Sequence, residues 1–105
     1  KPFYVKENQD RPGISLTFDL LGPQGYGELC SGGMREDNLT ALSERIKQTG
    51  LNPIDYGWYL DLRKYGSVEH GGFGMGIERL LRWFIGIEDI KDLVLFPRTM
   101  SRVSP

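Results

Sequence analysis

Apolar positions along this chain follow two periods. From Ile14 to Leu21 they alternate, with Ile14, Leu16 and Phe18 on one side and Ser15, Thr17 and Asp19 on the other. That is the period of a half-buried strand, here ending at Asp19 or soon after. Phe3-Tyr4-Val5-Lys6 reads as a shorter strand before it, and Asp10-Arg11-Pro12-Gly13 between them as a turn. Gly22-Pro23-Gln24-Gly25 is a second turn. Tyr26 to Met34 then reads as the return strand of a hairpin, in which period two places Glu28, Cys30 and Gly32 on one face. Downstream the period lengthens. Leu39, Leu42 and Ile46 sit at i, i+3 and i+7, with Asp37 or Asn38 to cap a helix and Gly50 to stop it. Asn52-Pro53 predicts a second helix start, with Asn52 as cap and Pro53 at the first position. Its apolar stripe is Ile54, Trp58, Leu62 and Tyr65, ending at Gly66. Gly71 to Ile77 reads as a glycine-rich strand, Glu78 to Ile85 as a helix, and Ile87 to Arg98 as a short helical turn with an extended run into Pro97. Ser101 to Pro105 is a tail. The pattern predicts an α+β fold: an antiparallel sheet of three or four strands with helices on one face, and no internal domain boundary.

Composition narrows the classes. The chain has 105 residues, 39% hydrophobic and 26% charged, ordinary globular usage for one small domain or a piece of a larger one. The longest apolar run, Leu93-Val94-Leu95-Phe96, is far short of the ~18 residues of a membrane span. Lys1 in place of an initiator Met, with no signal-peptide pattern, predicts a start inside a longer protein. One cysteine and one histidine exclude an internal disulfide and a Cys/His zinc cage; a reducing cytosol is the expected compartment. Thirteen basic residues against fourteen acidic give a net charge of −1, so no global field attracts nucleic acid and any RNA contact must be local. Glycine is the anomaly. It supplies 14 of 105 residues, roughly twice the ~7% average, in two clusters: four in Gly25–Gly33 and five in Gly66–Gly76. Such density marks tight turns or close backbone approach.

Two constellations carry candidate chemistry. In Gly27-Glu28-Leu29-Cys30-Ser31-Gly32-Gly33-Met34-Arg35, a carboxylate, a hydroxyl and a guanidinium share one short stretch. Glu28 suits a hard cation such as Mg²⁺, with Asp19 on the neighbouring strand as a second carboxylate. Arg35 offers a planar fork for a carboxylate or amide oxygen. The plain alternative is a hairpin with exposed charges. Arg35 lies seven residues after Glu28, on the opposite face of an unbroken strand; reaching the same pocket requires a bend or bulge at Gly32-Gly33. The second constellation is Gly71-Gly72-Phe73-Gly74-Met75-Gly76-Ile77-Glu78-Arg79. Gly72, Gly74 and Gly76 would leave a flat floor for a planar ring, and Arg79 just inside the next helix would stack on that ring and reach phosphate. The alternative is a bulged strand packed against another backbone. Neither a dinucleotide-binding fingerprint nor a Walker loop fits these glycines. His70 beside Glu69 is expected to be a hydrogen-bonded loop residue, Trp58, Tyr59, Trp83 and Phe84 core, and Arg98 and Arg102 either phosphate contacts or solvated.

Gly72-Phe73-Gly74-Met75-Gly76-Ile77-Glu78-Arg79-Leu80, with Phe96-Pro97-Arg98 downstream, resembles motif 3 of the class II aminoacyl-tRNA synthetases. Trp58 to Val68 is similar to the asparaginyl-tRNA synthetases, and Gly27-Glu28-Leu29 followed by Gly32-Gly33-Met34-Arg35-Glu36-Asp37 fits that family. Ser31-Gly32-Gly33 is closer to the aspartyl enzymes, and Glu69 stands where the family usually has Pro. The resemblance spans essentially the whole chain. It implies that residues 1–105 are the C-terminal portion of a class II catalytic domain, part of its antiparallel β-sheet flanked by helices, without motifs 1 and 2 or an anticodon-binding domain. It implies ATP and Mg²⁺ as cofactors, and asparagine (or aspartate) and tRNA as partners of a full-length, homodimeric, cytoplasmic enzyme with no membrane association. Glu28 would hold ATP through Mg²⁺ with Ser31 and Asp19. Gly76, Ile77, Glu78 and Arg79 would form the ATP-binding corner, Arg79 and Glu28 being catalytic. Arg35, with Ser31, would bind the amino acid. The alternatives are an aspartyl-tRNA synthetase, a paralogue that makes asparagine without tRNA, and a non-catalytic nucleotide- or amino-acid-binding module.

Overall fold

The computed structural model describes residues 2–104. It contains β1 (Thr17–Gly22), β2 (Gly27–Met34), α1 (Leu39–Gln48), α2 (Gly57–Lys64), β3 (Gly71–Met75), α3 (Ile77–Ile85) and a 3-10 turn at Ile90–Leu93. The three strands form one antiparallel sheet in the order β1-β2-β3, which fits the predicted α+β class. The chain divides into two compact units: the residues up to Phe18 with Gly32–Phe73, and Asp19–Ser31 with the residues from Gly74 on. Each strand gives residues to both.

The first unit is built on α1. Asn38 caps it, its side chain accepting from the Ala41 amide at 3.0 Å, and Gly50 ends it at φ 75°, a left-handed position that suits glycine. Leu42 and Ile46 are completely buried and with Val5 make the core of this unit. Phe3–Lys6 is not a strand. Only the single bridge Val5↔Arg35 forms there, with Glu7↔Ser15 beside it. The strand predicted from Ile14 begins at Thr17, because the Ile14 amide is taken by the Arg11 carbonyl in a turn. Ile14 and Phe18 are about half exposed.

The second helix starts later than Asn52-Pro53 predicts. The Asn52 side chain accepts from the Ile54 amide, and successive i→i+3 bonds carry the chain through turns to Tyr56. A side chain that captures a nearby amide offers the backbone an alternative to helix. The predicted stripe is also wrong: Ile54 is 84% and Trp58 68% exposed, and the residue that α2 buries is Arg63.

In the second unit, β1 turns into β2 through Pro23–Tyr26, with Gln24, Gly25 and Gly27 at positive φ. Leu29 and Cys30 are its buried residues. Both are buried although adjacent, so strict alternation fails: Glu28 is exposed while Cys30 is not. β3 ends at Met75, and Gly76 is the cap of α3, not a strand residue. Gly86 closes α3 at φ 76°. Phe84 is 69% exposed, against its expected place in the core.

Candidate functional site

The two constellations are assembled differently. In the second unit, α3 opens directly off the end of β3. Its cap, Gly76, donates its amide to the Leu29 carbonyl of β2 at 3.1 Å. A Cβ at Gly76 would lie 3.1–3.3 Å from Cδ, Cβ and Cγ of Arg79, so the missing side chain is what leaves room for the arginine stem to fold back over the cap. Arg79 Nη1 then donates to the Glu28 carbonyl at 2.9 Å and lies 4.0 Å from Glu28 Oε1. Gly76, Ile77, Glu78, Arg79 and Glu28 are thus brought together. Both charged side chains of the pair are about half exposed, and such a pair contributes at most about 1 kcal/mol to stability. Its consequence is orientation: the half-exposed guanidinium is fixed at the N-terminal end of β2.

Asp19 and Ser31 form a second pair. Ser31 Oγ donates to Asp19 Oδ1 at 2.6 Å, across β1 and β2. Together with Glu28, the strands therefore present two carboxylates and a hydroxyl, all hard oxygen donors. Among the described residues no three His, Cys, Asp or Glu side chains converge as a metal cage. A cation here would have to complete its shell from phosphate or water oxygens, as Mg²⁺ at nucleotide sites does.

Arg35 belongs to the first unit. The predicted bend that would re-aim it is absent: β2 runs unbroken from Gly27 to Met34, and neither Gly32 nor Gly33 has positive φ. Those glycines serve close packing. A Cβ at Gly32 would meet Phe18 Cε1 and Phe73 Cβ at 2.7 Å, and one at Gly33 would meet the Leu16 carbonyl at 2.9 Å. Arg35 is instead set by its backbone, which bridges Val5 and donates to the His70 carbonyl at 2.9 Å. Its guanidinium carbon lies 4.9 Å above the Tyr4 ring. Gly72 seats it, since a Cβ there would approach Arg35 Nη2 to 3.0 Å. Arg35 and Tyr4 line a hollow of about 300 Å³ whose other walls are Phe3, Tyr56, Trp58 and Tyr59.

Charged contacts brace this unit. Lys6 pairs with Asp37 at 2.8 Å and with Glu69 at 3.7 Å. The hydrogen bond between Lys6 and Asp37 raises the lysine pKa and lowers that of the aspartate. Arg45 pairs with Glu7 at 3.0 Å and with the buried Glu36 at 3.6 Å. His70 is a loop residue as expected, its Nδ1 2.7 Å from the Val68 carbonyl. Tyr4 and Arg63 were not legible as site residues. Tyr4 reads as part of a strand. Arg63 is given no role of its own by the sequence pattern, although Tyr59 and Arg63 at i and i+4 are spaced for a ring–cation contact.

The sequence model of the family described as tRNA synthetases class II (D, K and N) matches residues 1–100. Asparagine–tRNA ligase from Pyrococcus abyssi is 52% identical over 105 residues, 100% of this chain and 24% of that protein. The crystal structure of asparaginyl-tRNA synthetase from Pyrococcus horikoshii superimposes with TM-score 0.96 at 50% identity, covering 100% of this chain and 25% of that one. The same enzyme complexed with asparaginyl-adenylate gives 0.94, with 24% of that chain covered. Aspartyl-tRNA synthetase from Entamoeba histolytica gives 0.91 at 31% identity, covering 100% of this chain and 21% of that one. The chain spans about a quarter of the length of the relatives it matches.

Proposed function

We infer, since this chain belongs to the class II tRNA synthetase family of the D, K and N type, that it is the C-terminal portion of a catalytic domain whose whole enzyme activates asparagine with ATP and ligates it to tRNA(Asn). In the first step the amino-acid carboxylate attacks the α-phosphate of ATP, giving the adenylate and pyrophosphate. No protein nucleophile is required, so the work of the chain is positioning and charge neutralisation. The observation that carries this reading is the anchoring of Arg79 on the Glu28 carbonyl beside the Gly76 cap. That contact would hold a planar cation toward a nucleotide ring and its terminal phosphate, with Gly76, Ile77 and Glu78 at the same corner. Glu28, Ser31 and Asp19 are the donors that would hold Mg²⁺, which when bound offsets the phosphate charge.

Arg35 would take the side-chain oxygen of the amino acid through its fork. An aspartate carboxylate would suit that fork better still. Preference for asparagine therefore needs an acceptor for the amide outside these residues. Substrate choice is supported by 52% identity to an asparagine–tRNA ligase against 31% to an aspartyl enzyme. The aspartyl reading keeps one feature in its favour, Ser31-Gly32-Gly33. Homodimerisation, tRNA binding and a cytoplasmic location belong to the same proposal for the full-length enzyme.

The test is amino-acid-dependent ATP–pyrophosphate exchange by the full-length enzyme, followed by charging of tRNA. Exchange with asparagine and not aspartate is expected, and Arg79→Ala should reduce it by a factor on the order of 100. Preference for aspartate would establish the aspartyl reading. Exchange without tRNA charging would point to the paralogue, and an undiminished Arg79→Ala enzyme would remove Arg79 from the site.

A further inference from the structure

The one residue that α2 buries is a cation. Arg63 is 8% exposed, while the apolar residues expected to hold the helix in place lie open. Burying a guanidinium costs desolvation that a leucine or methionine would avoid. Stability alone therefore does not account for an arginine here; its bonds do. Arg63 Nε donates to the Glu36 carbonyl at 3.0 Å, and Nη2 to the Tyr59 hydroxyl at 3.1 Å. Its guanidinium carbon also lies 4.3 Å from the Tyr59 ring centroid.

Both partners lead to Arg35. Glu36 is the next residue along the backbone, and its own amide donates to the Tyr4 carbonyl at 2.9 Å. The Tyr4 ring is the one beneath the Arg35 guanidinium. Tyr59 is a wall of the hollow that Arg35 lines. A single planar fork thus fixes the carbonyl of Glu36, the residue that follows Arg35, and the aromatic wall of the same hollow. Lysine, a point charge on a flexible stem, cannot hold both directions at once.

We propose that Arg63 is a positioning residue for the amino-acid site, acting through Arg35 by clamping the Glu36 carbonyl and the Tyr59 ring. The proposal rests on the reading of Arg35 as the amino-acid-binding residue. Displacing a binding group by about 1 Å can cost up to 100-fold, and loss of this clamp shifts Arg35 by less than its removal would.

The experiment uses the full-length enzyme and measures KM for asparagine, KM for ATP and kcat in pyrophosphate exchange. The variants are Arg63→Met, Arg63→Lys and Tyr59→Phe, with Arg35→Lys as reference. The expected result is a rise in asparagine KM of about tenfold for both Arg63 variants, a smaller rise for Tyr59→Phe, and an unchanged ATP KM. A purely structural role would lower active-enzyme concentration and kcat and leave asparagine KM alone; that outcome overturns the proposal, as does a parallel rise in both KM values. If Arg63→Met fails to fold, Arg63→Lys and Tyr59→Phe carry the test, since each keeps most of the packing. If Arg35→Lys raises asparagine KM and these two do not, the clamp fails and the reading of Arg35 stands. If Arg35→Lys itself leaves asparagine KM unchanged, both fail.

Discussion

Gly32→Ala and Gly74→Ala are the same chemical change in neighbouring strands, yet the structure gives them opposite signs. A methyl at Gly32 would sit 2.7 Å from Phe18 Cε1, 2.7 Å from Phe73 Cβ and 2.9 Å from the Gly72 carbonyl oxygen. Carbon contacts are comfortable at about 3.5–4.0 Å, so the strand must open by close to an ångström. One of the obstacles is backbone, which cannot rotate away. Forcing a methyl into such a site costs roughly 1–3 kcal/mol, partly offset by the 0.5–1 kcal/mol or so that alanine gains over glycine in a strand. At Gly74 nothing lies within 4 Å of the new methyl, and φ is not positive. Only the gain applies there, about 0.4–1 kcal/mol from the stiffer unfolded chain. The two variants should therefore differ by about 1–3 kcal/mol, Gly32→Ala melting below the parent and Gly74→Ala at or above it. Thermal unfolding of the full-length protein without ligand, followed by circular dichroism, reads this directly. Equal melting temperatures for the two variants would show that Gly32 is not held by close packing.

Three further outcomes follow from the same geometry. Gly72→Ala would press a methyl to 3.0 Å from Arg35 Nη2, the mobile end of a side chain; the melting temperature should hold while asparagine KM rises several-fold, and an unchanged KM would show that Arg35 does not need this seat. Glu28→Gln keeps size and removes the charge; adenylate formation should fall far more than stability, and exchange activity with unaltered Mg²⁺ dependence would make Glu28 structural. The Lys6–Asp37 bond lowers the aspartate below its ordinary 3.8 and raises the lysine above its ordinary 10.5. The aspartate's share of stability is present above 3.8 and lost as pH falls through its lowered value; the lysine's is present below 10.5 and lost as pH rises through its raised one. The stability gap between parent and Lys6→Met should thus be flat across that window and close in acid and in strong alkali; a gap that persists in acid would refute the ion pair.

Much of the fold was legible because local signals and tertiary packing agreed. Leu42 and Ile46 are buried, Asn38 caps and Gly50 stops their helix, as their spacing requires. The errors arose where one residue type had two uses. Asn52 reads as a helix cap, but its side chain closes a turn on the Ile54 amide and delays α2 to Gly57. Ile54, Trp58 and Leu62 read as a buried stripe, but the helix docks through Arg63. Periodicity records which positions are apolar and cannot tell which apolar face has a partner within 105 residues.

The glycine excess shows what a composition signal can and cannot specify. It pointed correctly to close approach, and the structure divides that into distinct uses. Gly32 and Gly33 let strands pack without side chains between them, Gly72 makes the seat on which Arg35 lies, and Gly76 leaves room for Arg79 to fold over its own helix cap. Alternation alone separates Glu28 from Arg35 by an odd number of residues, which predicts a bend at the first pair to bring Arg35 round. The unbroken strand removes that reason and replaces it with another. Arg35 is placed by what surrounds it: the His70 carbonyl on its amide, the Tyr4 ring beneath it and the missing side chain of Gly72. Each of the two proposed ligand-binding arginines thus sits against a glycine that another residue would crowd. A glycine next to a functional cation in this chain is therefore a positional requirement of that cation, and alanine at Gly72 or Gly76 should act on binding before it acts on folding.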